Sequence, residues 1–336
     1  MPGHRPPPGP SGRTWLLTLT LTGLILTGAE AFWRSRGHQP SVVDDPELWS
    51  FHRGRVDDGG MKSVALVGAS RIQLDFATDT FRRRFPDHTL VQLAIDGRYP
   101  VATLRDLAED GRFRGVVIAA IDPNGLLRRN RAAQQEYVDF YDRRSTLNNR
   151  LNRVIGCWLQ ARLVILNPQV HLKKVLERLL RRYPLPPPIY VITRFDRSRQ
   201  ADYTKIDLAA HRRWRVGRLR EGPAAPGRLT PQAWLEEALE IEPLVREIES
   251  RGGRVVLIVC PVTGETLENQ MRQFPKADYW DRFAAATSAE TIHFLDVPAL
   301  AGFDCPDTSH LDYRDAPRFT DGLLDELVQR SVLPRK

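Results

Sequence analysis

The stretch SVALVGASRIQLDF, residues 63–76, decides how the chain is read. Its first five residues form a short apolar run. A run apolar at consecutive positions, not alternating ones, suits a strand covered on both faces, as strands of parallel sheets are. Gly68 then permits a tight turn, and the residues from Ser70 onward have helical character. Strand, glycine turn and helix make the opening of an α/β unit, and the pattern recurs downstream. TLVQLA (89–94) reads as a second strand, residues 104–110 as a helix, and GVVIAAI (115–121) as a third strand. RVVLIVC (254–260) is a further buried strand and TIHFLDV (291–297) the last. Residues 231–250 read as a helix with Thr230 as N-cap and Gly252-Gly253 as its stop, and residues 316–329 as a closing helix. Strands alternating with helices imply a three-layer α/β/α domain around a mostly parallel sheet.

The middle of the chain breaks this rhythm. Residues 126–188 are helical and arginine-rich, IYVIT (189–193) reads as one more strand, and residues 194–231 are polar with Gly and Pro. The α/β domain is therefore expected over 63–330, with a helical insertion at about 126–231. Residues 34–62 read as a linker and lead-in. With 336 residues, 42% hydrophobic and 27% charged, the chain suits one large α/β domain plus an insertion, not a disordered protein. No internal repeat is visible.

The net charge of +8 comes mostly from arginine. The arginines are scattered, with no zinc-finger spacing, aromatic-rich RNA-binding signature or concentrated basic tail. They read as solvated helix surface with some attraction to anionic lipid or an anionic polymer, and a nucleic-acid partner is not expected. Cys157, Cys260 and Cys305 form no disulfide framework. Cys260 with Cys305 is the pair that an oxidising compartment would test; buried free thiols are the competing reading. No metal-ligand spacing occurs, so neither a metal nor an organic cofactor is expected.

Residues 1–14 read as a disordered tail rich in Pro and Gly. Residues 15–33 carry WLLTLTLTGLILTGAEAFW, apolar apart from threonines as far as Glu30. As a helix, the eighteen-residue stretch 15–32 spans about 27 Å, close to a bilayer core. Threonine hydroxyls can bond back to the helix, and Trp15 and Trp33 bracket the segment as interfacial aromatics do. An uncleaved membrane anchor is one reading. A cleaved signal peptide is the other, since Ala29-Glu30-Ala31 fits the small-x-small pattern before a cut. Both place the rest of the chain outside the cytoplasmic membrane.

In open parallel sheets, functional residues collect beyond the carboxyl ends of the strands. Ser70 stands there after the first strand, either as an exposed nucleophile or as an ordinary N-cap. Gly97, after the second strand in LAIDG, lets a backbone N–H approach a developing oxyanion, or serves only as a turn glycine. Asp307 and His310 stand before the final helix. An Asp-x-x-His turn can fold so that the carboxylate holds one imidazole nitrogen while the other faces a serine. Arg71 is either an anion-binding residue or helix surface. His293 reads as structural, and Trp280 as packing or as a platform for a sugar.

VALVGASRIQLDF, then LAIDG, then DTSHLDYRDAPRFTDGLL together resemble the SGNH (GDSL-like) hydrolase superfamily. The resemblance covers about 63–125 and 254–329, with the carboxyl-terminal block its most specific part. It is similar in particular to the envelope branch, with alginate-type polysaccharide O-acetyltransferases and D-alanyl transfer proteins. It implies an SGNH/flavodoxin-like fold, an acyl group taken by Ser70, His310 as base, Asp307 as its orienting partner, and an oxyanion hole from the N–H groups of Ser70 and Gly97. It also implies an acyl donor, a glycan acceptor, and a membrane-bound O-acyltransferase partner that delivers the acyl group. Two departures stand out. Gly-Asp-Ser is Gly-Ala-Ser here. The third block, Gly-x-Asn-Asp in secreted esterases of the family, reads AAIDPNG, so that Asn124 is the candidate for the remaining oxyanion donor, although it is offset from that donor's place and Pro123 alters the turn. Loss of one such donor costs about 3–4 kcal/mol of transition-state stabilisation, which suits a slow transferase or a degenerate site.

Overall fold

A computed structural model describes residues 12–144, 147–221 and 229–335. Most of the tail expected at 1–14 lies outside the described residues. The chain divides into two compact units, one comprising the chain up to Ser41 with Leu159–Ile189, the other comprising Val42–Trp158 and the chain from Tyr190.

The larger unit is built on five parallel strands, β1 (Ser63–Val67), β2 (Thr89–Gln92), β3 (Val116–Ala120), β6 (Arg254–Val259) and β7 (Glu290–His293), in the order β2-β1-β3-β6-β7. The two remaining strands, β4 (Val191–Thr193) and β5 (Arg199–Ala201), pair antiparallel with each other apart from this sheet. The expected strand at 189–193 thus exists, but it belongs to a hairpin. Every residue of β1 and β3 is buried, as their continuous apolar runs require. Helices flank the sheet. Val101–Glu109 packs with Glu242–Ser250, and Ala316–Gln329 packs on Ser70–Asp75 and Thr78–Arg84. The helix expected over 231–250 is broken by a 3₁₀ turn at Leu239–Ile241, and Thr230 caps its first part by accepting from the N–H of Ala233.

Residues 34–62, expected as a linker, contain a helix, Pro46–Arg53, that belongs to the core. Asp45 caps it, Trp49 is fully buried and donates its indole N–H to Leu93 O at 2.8 Å, and Arg53 pairs with Asp106 and Asp110. A buried arginine is tolerable here because its charge meets two carboxylates.

In this strand order the connections after β1 and β3 leave in opposite directions. A crevice opens between their carboxyl ends, which is where ligands bind in such sheets. Gly68 at the end of β1 fits closely against β3. A Cβ there would lie 2.8 Å from Ile72 Cγ2 and 3.0 Å from Ala120 O, so only glycine lets the chain turn.

In the smaller unit, the apolar helix runs over Gly12–Ser35 and is long and apolar enough to cross a membrane. Thr18 and Thr20 donate their hydroxyls to the carbonyls of Thr14 and Leu16, so these polar groups are satisfied within the helix.

Candidate active site

Ser70 begins a short helix at the carboxyl end of β1, and the turn 305–310 brings His310 to it from the far end of the chain. Asp307 organises that turn. Its Oδ1 accepts the backbone N–H groups of Ser309 and His310 at 2.9 and 2.8 Å, while its Oδ2 accepts from His310 Nδ1 at 2.8 Å. Thr308 sits between them at φ +72°, a left-handed conformation rare for a β-branched residue. Its carbonyl accepts from Thr263 N–H and its hydroxyl bonds that of Thr266, which anchors the strained residue.

With Nδ1–H committed to Asp307, Nε2 of a neutral imidazole is an acceptor. Ser70 Oγ lies 2.8 Å from it and donates to it. Ser70, His310 and Asp307, expected from sequence as a unit, are therefore brought together in a continuous hydrogen-bonded chain. Asp307 and His310 are buried. Burial opposes charge on Asp307, but the hydrogen bond and charge of His310, together with Arg215, hold its carboxyl below the usual carboxylate range. His310 is held below its ordinary value by burial, with Arg215 and Arg71 adding to the effect against the pull of Asp307. A neutral imidazole at pH 7 follows, which is the form able to accept a proton.

A cavity of about 190 Å³ opens over Ser70, bounded also by Gly97, Tyr99, Asp122 and the side chains of Arg71, Arg98 and Arg215. Gly97 has φ +68°, so its place at the cavity wall depends on glycine's conformational freedom. Asn124 does not line this cavity. Its Nδ2 donates to the Tyr99 hydroxyl at 2.6 Å and its Oδ1 accepts from Arg129, so its amide is engaged by these two side chains. The loop after β3 places Asp122 as its first polar residue, ahead of Pro123 and Asn124. Asp122 accepts from Arg71 and Gln270, both at 3.2 Å. Arg71, Tyr99 and Asp122 also border a second cavity of about 180 Å³, with Trp280 and His293 further along it. Trp280 and His293 are both buried, in keeping with packing roles. All three cysteines are free and buried.

Arg215 escapes sequence reading. It lies on the helix Leu208–Glu221, in the expected insertion, and its guanidinium is 3.3 Å from Asp307 Oδ2. Arg212 on the same helix donates to Pro306 O. Nothing in HRRWRVGR separates Arg215 from its neighbouring arginines except its three-residue spacing from Arg212, which places both on one helix face. Asp75 is the other unforeseen group. It is buried at the end of the Ser70 helix, its Oδ1 accepts Leu311 N–H at 2.9 Å, and burial pushes its carboxyl well above the usual range. It ties the serine's helix to the histidine's turn.

No protein-family model and no curated protein matches the sequence. Among solved structures, the crystal structure of TesA matches at 12% identity and a TM-score of 0.37, over 80% of this chain and 99% of that one.

Proposed function

We propose that the chain is a membrane-anchored SGNH-type acyl-ester enzyme, an O-acyltransferase or esterase acting on a cell-envelope polysaccharide through an acyl-enzyme on Ser70. The observation that carries the reading is the unbroken path from Ser70 Oγ through His310 to Asp307. In the first step Ser70 Oγ bonds to the acyl carbonyl carbon while its proton passes to His310 Nε2. The carbonyl electrons move onto oxygen, where the N–H groups of Ser70 and Gly97 are the proposed donors. Collapse expels the leaving group, which takes the proton from His310. A sugar hydroxyl or water then repeats the sequence on the acyl-enzyme, with His310 again as base. Asp307 holds the tautomer and stabilises the imidazolium. No cofactor is called for.

Arg71, Arg98 and Arg215 border the cavity, each beside a carboxylate (Asp122, Glu136 and Asp307), and their guanidinium groups are the proposed contacts for an anionic acceptor such as an acidic glycan. An acyl donor reaching Ser70 through a membrane-bound O-acyltransferase partner remains part of the proposal. The test is turnover of a chromogenic acetyl ester by the purified chain, with and without an acidic glycan. Acetyl transfer to the glycan that disappears in Ser70→Ala supports transfer, and acetate release alone supports an esterase.

A second reading, a non-catalytic binding or scaffolding protein on the same fold, is favoured by the engagement of the Asn124 amide with Tyr99 and Arg129. It predicts glycan binding that survives Ser70→Ala, with no ester turnover by the unaltered chain.

A further inference from the structure

The unit that contains the apolar helix carries a second apolar surface. Helix Leu172–Leu180 has the sequence LKKVLERLL. At about 100° per residue, Leu172, Val175, Leu176, Leu179 and Leu180 share an arc of about 140°, and the charged residues fill the rest. Only Val175 of these five packs on the core of the unit, against Trp33, Val164 and Val170. Leu172 is 73% exposed and Leu180 84%. A contiguous leucine face on a basic helix is the composition of a segment lying in a bilayer interface.

The surroundings of this helix say what covers it. The last turns of Gly12–Ser35 are built into the same unit. Glu30 accepts the backbone N–H groups of Val164 and Ile165, both at 3.0 Å, and Arg34 donates to Arg162 O at 2.6 Å. Trp33 is buried on Val164 and Val170. The 3₁₀ turn Val164–Leu166 is thereby fastened to the end of the apolar helix, and the leucine-faced helix starts just beyond it. With the helix in lipid as far as about Gly28, that turn, held to Glu30 and Trp33, lies at the lipid–water boundary. Removal of the chain up to Ala31 would take away Glu30 and leave the N–H groups of Val164 and Ile165 without this acceptor.

We infer that the apolar helix is retained in the mature protein, and that Leu172–Leu180 lies in the plane of the membrane surface. Its leucines face the acyl chains, and Lys173, Lys174 and the adjoining Arg181 meet anionic headgroups. The inference rests on the reading of Gly12–Ser35 as a membrane helix and is independent of the chemistry at Ser70.

The full chain, purified from membranes and reconstituted in phosphatidylglycerol–phosphatidylcholine vesicles, tests both parts. Its intact mass should include Ala29-Glu30-Ala31; a mature chain beginning at Phe32 overturns retention. A polarity-sensitive fluorophore is then placed on L180C or on E177C, the native cysteines being buried. Acrylamide should quench L180C about threefold or more less than E177C, as an apolar face sunk into the headgroup boundary requires. Equal quenching overturns the surface-lying helix. Replacing phosphatidylglycerol by phosphatidylcholine should raise quenching of L180C, and unchanged quenching overturns the headgroup contact.

Discussion

The two sides of Ser70 are built in different ways. On the imidazole side, one turn sets the geometry: Asp307 folds the backbone of 307–310 with one oxygen and orients His310 with the other. On the opposite side, the loop after β3 brings an arginine–aspartate pair to the cavity, Arg71 with Asp122, and its asparagine bonds Tyr99. The first arrangement is local, so four residues of sequence specify it. The second depends on where a loop of another strand lands. The difference teaches that an imidazole and its carboxylate can be set by one turn while the groups facing them across Ser70 depend on a separate loop.

Each side can be tested against the other. His310→Ala removes the base and should lower ester turnover on the order of 10⁵- to 10⁶-fold, read as kcat. Asp307→Asn keeps the shape of the turn but supplies the wrong tautomer, and on the order of 10⁴-fold should be lost. A loss of only a few fold in either variant would show that the assembled side does not run the chemistry. Arg215→Gln should change the pH profile more than the plateau. Arg215 helps to hold the His310 pKa down, so its removal raises that pKa, and the rising limb of the activity profile moves to higher pH. An unmoved limb would reduce Arg215 to a packing role. Asn124→Ala should change kcat less than about twofold, whereas an oxyanion donor would cost about 10²–10³-fold. The large loss would mean that the loop after β3 rearranges to complete the site.

β1, β3 and β6 were legible because they are apolar runs flanked by Gly68, Gly115 and Gly253, and the closing helix 316–329 because Phe319, Leu323, Leu324 and Leu327 recur at helical spacing. The Asp307–His310 pair was legible because three residues of spacing bring it together, whereas Ser70 meets His310 from 240 residues away and was expected only through the resemblance. The helix Pro46–Arg53 was hidden by its polar surroundings, although Asp45 followed by Pro46 is an N-cap with proline at the first helical position. Its burial depends on Trp49 and on Arg53 finding Asp106, contacts about 50 residues away that no periodicity reports. Arg215 and Asp75 were illegible because their roles are set by approach in space. One is an arginine among arginines, and the other is a carboxylate whose burial only the folded chain reveals.

Covalent labelling tests the central claim most directly. Incubated with a fluorophosphonate and weighed as an intact chain, the protein should gain one phosphonyl group, mapped by peptide fragmentation to Ser70, and Ser70→Ala and His310→Ala should gain none. Labelling of the Ser70→Ala chain, or of the His310→Ala chain at the rate of the unaltered protein, would contradict an acyl-transfer site built on these two residues.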